Sequence, residues 1–314
     1  MISRSLRRGC IRAYSAARTA KFDAKLKPSE VLVNVEAHTV RYSHYIPSLA
    51  DFGTELVGTI EKVGEDSDFS PGDRIFAGTS RTANLNEPVL LHNFDNKVMI
   101  LPETLSAPDA LASVGNYALG YMALKRLALE KQGNSILLLG QNRSLSAAIL
   151  DLADNLFECE VTGVSDDKLI LERFEEDGCE ALNWKAADFP QNVLDRTFGK
   201  GTDFVIDTVG GDALGVLQKC VKPNGLIFLL DQSSGKIPVI DSKTLIERNS
   251  SISSLSIPKQ NPADVRQAFH MAIQILESGM PRGVKPIVVE TEEEARKSLV
   301  DNKLIGQVVM IHKN

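Results

Sequence analysis

The chain is poor in the residues that staple small extracellular domains or bind structural metals. Only four of its 314 residues are cysteine, and they lie far apart, without a C-x-x-C pair. This spacing argues against a disulfide framework and a structural zinc site, and it is typical of a reducing compartment. The sequence also lacks an apolar run approaching the ~20 residues that a membrane-spanning helix needs. We therefore expect no membrane span.

Long runs of basic residues are missing beyond the N-terminus. The formal net charge is −6, and no long basic block follows the first twenty residues. A nucleic-acid partner is therefore not expected, because such partners usually require a basic surface. The chain is 43% hydrophobic and 24% charged, which is typical of a globular protein, and it is long enough for two domains.

The first twenty residues have the composition of a mitochondrial transit peptide. They contain five arginines with several serines and alanines, and no acidic residue precedes Asp23. The segment RAYS at 12–15 resembles the site cut by the matrix processing peptidase, which would place the mature N-terminus near Ser15. The alternative is a basic tail that binds anionic lipid or RNA. We expect residues 1–20 to direct the protein to the mitochondrial matrix.

The remaining sequence changes character near Ser106. Before it, Glu30–Ala37 and Glu55–Val63 alternate apolar and polar residues, which predicts a β-rich region. Ser106 suits a helix N-cap, and after it short apolar strands alternate with helical patterns. This predicts an α/β fold with a parallel sheet covered by helices. The predicted strands are Ile136–Leu139, Val161–Val164, Phe204–Ile206 and Leu226–Leu230.

Four blocks resemble the medium-chain dehydrogenase/reductase superfamily, in its zinc-free quinone oxidoreductase and enoyl reductase branch. They are Gly53–Gly78, Asn134–Ala153, Asp203–Gly211 and Leu304–Met310. The resemblance implies a GroES-like β-rich domain with an inserted Rossmann domain, a doubly wound parallel sheet. The implied boundaries are 22–113 for the first part of the GroES-like domain, 114–257 for the dinucleotide-binding-type domain and 258–314 for the return to the GroES-like domain.

The resemblance also implies a reaction without zinc. Zinc-dependent members take ligands from an early cysteine and from a histidine before a Glu, whereas this chain has Gly53-Thr54-Glu55 and no cysteine between Cys10 and Cys159. A catalytic zinc needs about three protein ligands. The implied cofactor is NADPH.

The glycine loop of the cofactor domain departs from the family pattern. Where relatives have three glycines, residues 141–146 are QNRSLS. Those glycines permit a tight turn, a close approach to the pyrophosphate and close helix packing, and Ser146 is small enough only for the last. Arg143 would either fill the phosphate position or contact the phosphate through its guanidinium.

A second cofactor signal follows the second predicted strand. Ser165 and Lys168 match residues that surround the ribose phosphate in NADPH-using relatives, whereas Asp166 favours a free ribose hydroxyl. The alternative is an acidic helix N-terminus stabilised by the helix dipole. The predicted cofactor-binding residues are Gly140, Arg143, Ser144, Ser146, Ser165 and Lys168.

The candidate catalytic residues are tyrosines. A tyrosine is the proton donor in enoyl-thioester reductases of this family, so Tyr42 or Tyr45 could take that role here; a packing role is the alternative. His44 is a further acid/base candidate by residue type.

Three functions remain open at this point. The first is NAD(P)H-dependent reduction of a small quinone, enone or enoyl-thioester acceptor. The second is a catalytically inactive family member that acts as a scaffold or assembly subunit for a mitochondrial protein partner. The third is a lipid- or acyl-binding protein. The resemblance also implies a homodimer formed near Ser251–Ile257, where relatives pair the edge strands of their parallel sheets.

Overall fold

The computed structural model describes most of the chain. The described residues are 25–41, 44–45, 53–79, 85–92, 98–127, 133–140, 143–279, 284–300 and 306–312. The predicted transit peptide, Tyr42 and residues 141–142 lie outside these ranges, and so does the side chain of Arg143.

Strands from residues 30–100 and 286–311 form one mixed sheet of seven strands. Its strands are β1 (Glu30–Val40), β2 (Thr54–Val63), β3 (Arg74–Thr79), β4 (Val89–His92), β5 (Val98–Ile100), β12 (Pro286–Val289) and β13 (Gln307–Ile311). The order is β12-β13-β1-β2-β3-β5, and β4 also pairs with β1. All pairs are antiparallel except β12 with β13. The C-terminal strand therefore returns to the sheet in which the described chain begins.

The middle of the chain forms a six-stranded parallel sheet. Its strands are β6 (Ser135–Leu139), β7 (Glu160–Ser165), β8 (Glu180–Asn183), β9 (Thr202–Asp207), β10 (Val221–Leu229) and β11 (Ser251–Ser254). The order is β11-β10-β9-β6-β7-β8, with every pair parallel. This is the strand order of Rossmann folds. The predicted α/β class, with a β-rich part and a parallel sheet, is confirmed.

Helices cover the parallel sheet and separate it from the mixed one. They are α1 (Ala107–Arg126), α2 (Arg143–Asn155), α3 (Lys168–Glu176), α4 (Phe189–Arg196), α5 (Leu214–Leu217), α6 (Ser242–Arg248), α7 (Pro262–Glu277) and α8 (Glu292–Val300). Ser106 caps α1 as predicted, because its side chain accepts a hydrogen bond from the Asp109 amide at 3.2 Å. Among the described helices, none is both long and apolar enough to cross a bilayer.

Helix α1 connects the two sheets because its glycines allow close contact on two sides. A Cβ at Gly115 would lie 2.7 Å from Oε1 of Glu55 in β2, and one at Gly120 would lie 3.2 Å from the side chain of Ile149 in α2. Tyr117 is fully buried, and its hydroxyl donates to Asp151 of α2 at 2.6 Å. Helix α1 thus fixes the position of the mixed sheet relative to the parallel one.

Candidate functional site

The parallel sheet has a crevice where its strand order reverses. Strands β6 and β9 are adjacent there, with Leu139 paired to Asp207 at their carboxyl ends. Thr208 joins the two ends, since its amide and its hydroxyl both donate to the carbonyl of Leu139, at 3.2 and 2.8 Å. In open α/β sheets, ligands bind outside the carboxyl ends of the strands at this reversal. The fold therefore places the candidate site after Leu139 and Asp207.

Gly140 directly follows β6, and protein side chains lie close to it on one side. A Cβ there would lie 2.9 Å from the hydroxyl of Ser146 and 3.0 Å from the ring of Phe174. Glycine is therefore required for the packing of α2 and α3 against β6. The predicted roles of Gly140 and Ser146 in cofactor binding remain predictions.

Helix α2 begins at Arg143, and three residues separate it from the end of β6 at Leu139. The side chains of Ser144 and Ser146 are buried, with 1% and 3% of each residue exposed. Because the first amides of a helix have no partner within it, they can receive an anion. The side chains of Ser144 and Ser146 therefore face inward, and contact between a phosphate and the backbone at Arg143 and Ser144 remains a prediction.

Ser165 and Lys168 have different surroundings in the structure. The Ser165 hydroxyl is buried and accepts a hydrogen bond from the Asp167 amide at 3.2 Å. The side chain of Lys168 is 88% exposed and pairs with Glu172 at 3.2 Å along α3. Nothing in these contacts brings the two residues together. A different lysine, Lys185, lies 2.6 Å from Asp166.

Glycines also follow β9. Gly210 and Gly211 have φ values of 70° and 72°, a region that favours glycine. The chain after β10 covers this turn, because Ser233 donates its hydroxyl to Thr208 O at 2.9 Å and Ser234 donates its amide to Val209 O at 3.1 Å. The turn after β9 is thus held in place by its hydrogen bonds with Ser233 and Ser234.

The mixed sheet contains a buried ion pair. Nη2 of Arg41 lies 3.1 and 3.2 Å from the two carboxylate oxygens of Glu55, and 14% of the Arg41 side chain is exposed. Thr39 donates its hydroxyl to Glu55 Oε2 at 2.6 Å and accepts a hydrogen bond from the Glu55 amide at 3.1 Å. Glu55 is therefore held by Thr39 of β1 and by Arg41, which directly follows that strand.

Two aspartates at the ends of β9 and β10 complete this group of charges. Asp207 is fully buried, and its Oδ1 accepts from the amides of Val209 and Gly210 at 2.8 and 2.7 Å. Its Oδ2 has no hydrogen-bond partner among the described residues. Asp231 is half-buried and accepts a hydrogen bond from the Gln232 amide at 2.8 Å. We call Arg41, Glu55, Asp207 and Asp231 the charged cluster.

Burial and neighbouring charges shift the ionisation of this cluster. Burial raises the pKa of Asp207 to about 6; the amides of Gly210 and Val209 oppose that shift and the charge of Asp231 adds to it. Burial also raises the pKa of Asp231, although the guanidinium of Arg41 opposes it. Burial lowers the pKa of Arg41, but Glu55 and Asp231 outweigh it, so the net pKa is raised and the guanidinium stays charged.

Tyr45 lies against the C-terminal helix. Its hydroxyl donates to Glu292 of α8 at 2.7 Å, and the guanidinium of Arg296 lies 4.3 Å from its ring centroid. Burial is the main reason that the pKa of the Tyr45 hydroxyl is raised, and the hydrogen bond to Glu292 raises it further. These contacts favour the packing role for Tyr45 over proton donation.

His44 has partners that its sequence position did not reveal. The amide of Arg41 donates to its Nδ1 at 3.3 Å, and its Nε2 lies 3.1 Å from the hydroxyl of Thr54. Since Nδ1 accepts, the proton of the neutral ring is on Nε2.

Sequence reasoning did not select the aspartates of the charged cluster. The available signal was an acid placed directly after an apolar parallel strand, as Asp207 follows FVI and Asp231 follows LIFLL. The contacts of Glu55 with Arg41 and Thr39 are those of a structural carboxylate. Within the described ranges, no three His, Cys, Asp or Glu side chains are grouped as metal ligands would be.

Curated proteins similar to this chain include quinone oxidoreductase-like proteins. A quinone oxidoreductase-like protein 2 homolog from Nematostella vectensis is 27% identical over 269 residues, covering 82% of this chain and 72% of that protein. The Bos taurus quinone oxidoreductase-like protein 2 is 23% identical, covering 98% and 95%. A highly reducing polyketide synthase from Gibberella zeae is 24% identical, but the match spans only 13% of it. No protein-family model matches the chain.

Solved structures of two related classes share the fold. The Escherichia coli quinone oxidoreductase complexed with NADPH has a TM-score of 0.77 and 19% identity, covering 92% of this chain and 93% of that one. The CurK enoyl reductase has a TM-score of 0.71 and 18% identity, covering 92% of each chain. The chain therefore has the fold of the quinone oxidoreductases and enoyl reductases, with a GroES-like mixed sheet and a Rossmann parallel sheet.

Proposed function

We propose that this protein is a zinc-independent, NADPH-dependent oxidoreductase that reduces a small quinone, enone or enoyl thioester. The observation that carries the proposal is the crevice after Leu139 and Asp207, at the reversal of a parallel sheet in Rossmann order. The likeness to an NADPH-bound quinone oxidoreductase and to quinone oxidoreductase-like proteins supports it.

The position of α2 supports dinucleotide binding. The helix begins after β6 at the reversal of the sheet, and the start of a helix can receive a pyrophosphate. In this proposal Arg143 adds a guanidinium contact to that phosphate.

For hydride transfer from a nicotinamide, the protein mainly has to position the acceptor and stabilise the charge that forms on it. The bound nicotinamide would supply a hydride, so the chain has to hold the acceptor beside it, exclude water and stabilise charge on the acceptor oxygen. In this proposal Arg41, a charged guanidinium held by Glu55, stabilises the acceptor oxygen.

The test is NADPH oxidation by purified protein with a quinone, an enone and an enoyl thioester. The protein is treated with a chelator beforehand, and NADPH deuterated at C4 reports direct hydride transfer to the product. The proposal expects deuterium in at least one product and no loss of rate after chelation. Oxidation of none of the three acceptors, or a rate that zinc restores, would contradict it.

A specific observation favours a second candidate, a catalytically inactive scaffold or assembly subunit. The loop at 141–146 has no glycine, and its described serines, Ser144 and Ser146, are buried. The turn after Asp207 is closed by Ser233 and Ser234. A protein that has lost phosphate binding is free to change in this way. Failure of NADPH to bind distinguishes this candidate from the first.

We also propose a mitochondrial matrix location and a homodimer. The arginine-rich composition of residues 1–20 and the RAYS segment support import. Strand β11 ends the parallel sheet, and exposed apolar side chains lie in the chain just before it. These are Ile237, Val239, Ile240 and Ile246, which are 61%, 76%, 49% and 80% exposed. Such a surface beside an open strand edge favours pairing with a second copy.

A further inference from the structure

The turns that follow β7 and β8 are joined to each other. Ser165 of β7 pairs in parallel with Asn183 of β8, and the Trp184 amide donates to the Ser165 carbonyl at 3.3 Å. Strand β7 also pairs in parallel with β6, whose carboxyl end borders the crevice. Because the carboxyl ends of parallel strands lie at one edge of a sheet, Asp166 and Lys185 follow their strands at the edge that holds the crevice.

Lys185 is held in place by its backbone and by its side chain. Its amide donates to Oδ1 of Asn183 at 2.9 Å, which orders the turn after β8. Its Nζ lies 2.6 Å from Oδ2 of Asp166 and 5.2 Å from the ring centroid of Trp184. The hydrogen bond to Asp166 and the charge of that carboxylate raise the pKa of the ammonium, which therefore stays charged. Lys185 thus places a positive charge beside the end of β7.

This ion pair changes what the end of β7 can receive. A free carboxylate after the second strand of a Rossmann sheet accepts a hydrogen bond from a ribose 2′-hydroxyl and repels a 2′-phosphate. In this protein the carboxylate of Asp166 already has a cation, Lys185. A lysine ammonium has three N–H donors, so donors remain after the one that serves Asp166. The side chain of Lys185 is 62% exposed and is therefore accessible to a bound molecule.

The lysine that the sequence favours for a ribose phosphate is placed differently. Lys168 lies on α3, and its ammonium is 3.2 Å from Glu172, one turn further along the same helix. That contact directs the ammonium along α3. The Ser165 hydroxyl is buried and accepts a hydrogen bond from the Asp167 amide. The cation that contacts Asp166 therefore comes from the turn after β8 and not from α3.

We propose that Lys185 makes the site select NADPH over NADH, by contacting the 2′-phosphate of the adenosine ribose while Asp166 holds its ammonium in place. This inference rests on the proposed function and deepens it. An ammonium can donate to a carboxylate and to a phosphate at the same time through separate N–H groups. Without Lys185, the carboxylate of Asp166 would face the phosphate with no cation between them, and like charges repel.

The experiment measures the binding of adenosine 2′,5′-bisphosphate and of adenosine 5′-monophosphate by calorimetry. The two probes differ only in the 2′-phosphate, and neither carries a nicotinamide, so no turnover is needed. Wild type should bind the bisphosphate more tightly. Lys185→Ala is expected to weaken the bisphosphate by about 10- to 100-fold, which is the effect of losing one hydrogen bond to a charged group, and to leave the monophosphate unchanged. Lys185→Arg should keep the preference of wild type.

Two further variants separate the local charge from a general effect of losing a lysine. Lys297→Ala is the matched control, because Lys297 is an exposed lysine that lies 2.8 Å from an acid, Glu293, on α8 of the mixed sheet. Its affinities for both probes should match those of wild type. The double variant Lys185→Ala/Asp166→Asn should recover part of the bisphosphate affinity that Lys185→Ala loses, because it also removes the unpaired carboxylate.

The outcomes distinguish this role from the proposed function. If wild type binds NADPH and Lys185→Ala keeps the wild-type ratio of the two affinities, the role of Lys185 is overturned and the proposed function stands. The same holds if wild type binds NADPH but does not prefer the bisphosphate to the monophosphate. If wild type binds neither probe, nor NADPH, at millimolar concentration, both are overturned.

Discussion

Arg41 and Glu55 form an ion pair that is enclosed between the mixed sheet and helix α1, with Nη2 3.1 and 3.2 Å from the two carboxylate oxygens. Gly115 of α1 leaves room for this carboxylate, since a Cβ there would lie 2.7 Å from Oε1. The pair is thus part of the contact that joins the two halves of the molecule.

Removing only one partner of this pair should be costly. Arg41→Met leaves the Glu55 carboxylate buried without its cation, which we expect to lower the free energy of unfolding by about 3–5 kcal/mol. The double variant Arg41→Met/Glu55→Gln removes both charges and should recover most of the loss. Urea denaturation at neutral pH measures both variants. Equal losses in the single and double variants would show that the charge on Glu55 is not what makes Arg41 necessary.

Asp207 should make stability depend on pH in a defined direction. Its pKa is raised from 3.8 to about 6 in the folded protein, so the folded state keeps a proton that the unfolded chain releases. The stability contributed by this group is therefore fully present below about pH 4 and is lost as the pH rises to about 6. The loss amounts to about 3 kcal/mol.

The comparison with Asp207→Asn isolates this effect, because asparagine has a similar shape and does not titrate. The variant should become more stable relative to wild type as the pH rises from 4 to 7, with no further change above that range. Denaturant unfolding of both proteins at a series of pH values checks the sign. A difference that stays constant with pH would contradict the assigned shift.

Gly163 should tolerate no side chain. A Cβ at this position in β7 would lie 2.3 Å from the ring of Phe174, which packs α3 onto the sheet. We expect Gly163→Ala to destabilise the protein by about 1–3 kcal/mol. Adding Phe174→Leu should recover part of that loss relative to Phe174→Leu alone.

Gly215 provides the control for this prediction. It lies in α5, and apart from its chain neighbours and the backbone of its own helix no atom of the described residues is within 4 Å of an added Cβ. Gly215→Ala is expected to raise stability by up to about 1 kcal/mol, because alanine favours the helix more than glycine does. Thermal unfolding of the two alanine variants distinguishes a local clash from a general intolerance of substitution.

The proposed homodimer predicts a shift in mass. Ile246 is 80% exposed on α6, just before the open edge of β11, whereas Val300 is 66% exposed on α8. Ile246→Lys should favour the monomer in sedimentation at micromolar concentration, because burying a lysine in an apolar interface is unfavourable. Val300→Lys should leave the mass unchanged. A wild-type monomer, or a dimer that persists in Ile246→Lys, would contradict the proposed surface.

Local sequence patterns were sufficient to predict most of the fold. The alternation of Glu30–Ala37, the apolar run at Ile136–Leu139 and the cap at Ser106 each correspond to an observed element. These features depend on neighbours within a few residues, which is why a single sequence reveals them. The relation of the C-terminal strand to β1 came only from the family resemblance.

The candidate site was less predictable because it depends on contacts between distant parts of the chain. The charges of Asp231 and Arg41 shift each other's pKa although the residues are 190 positions apart, and no periodicity indicates that relation. Ser165 and Lys168 lie three positions apart, yet one side chain is buried and the other is exposed. The packing of Gly140 against Phe174 likewise depends on how α3 lies on the sheet.

The central claim is that the crevice after Leu139 still binds a dinucleotide although its loop has no glycine at 141–146. Titration of residues 15–314 with NADPH, followed by nicotinamide fluorescence, tests it most directly. The account predicts saturable binding that Arg143→Ala weakens by about 10- to 100-fold, which is the effect of losing one hydrogen bond to a charged group. No binding of NADPH by the wild-type protein at millimolar concentration would contradict it.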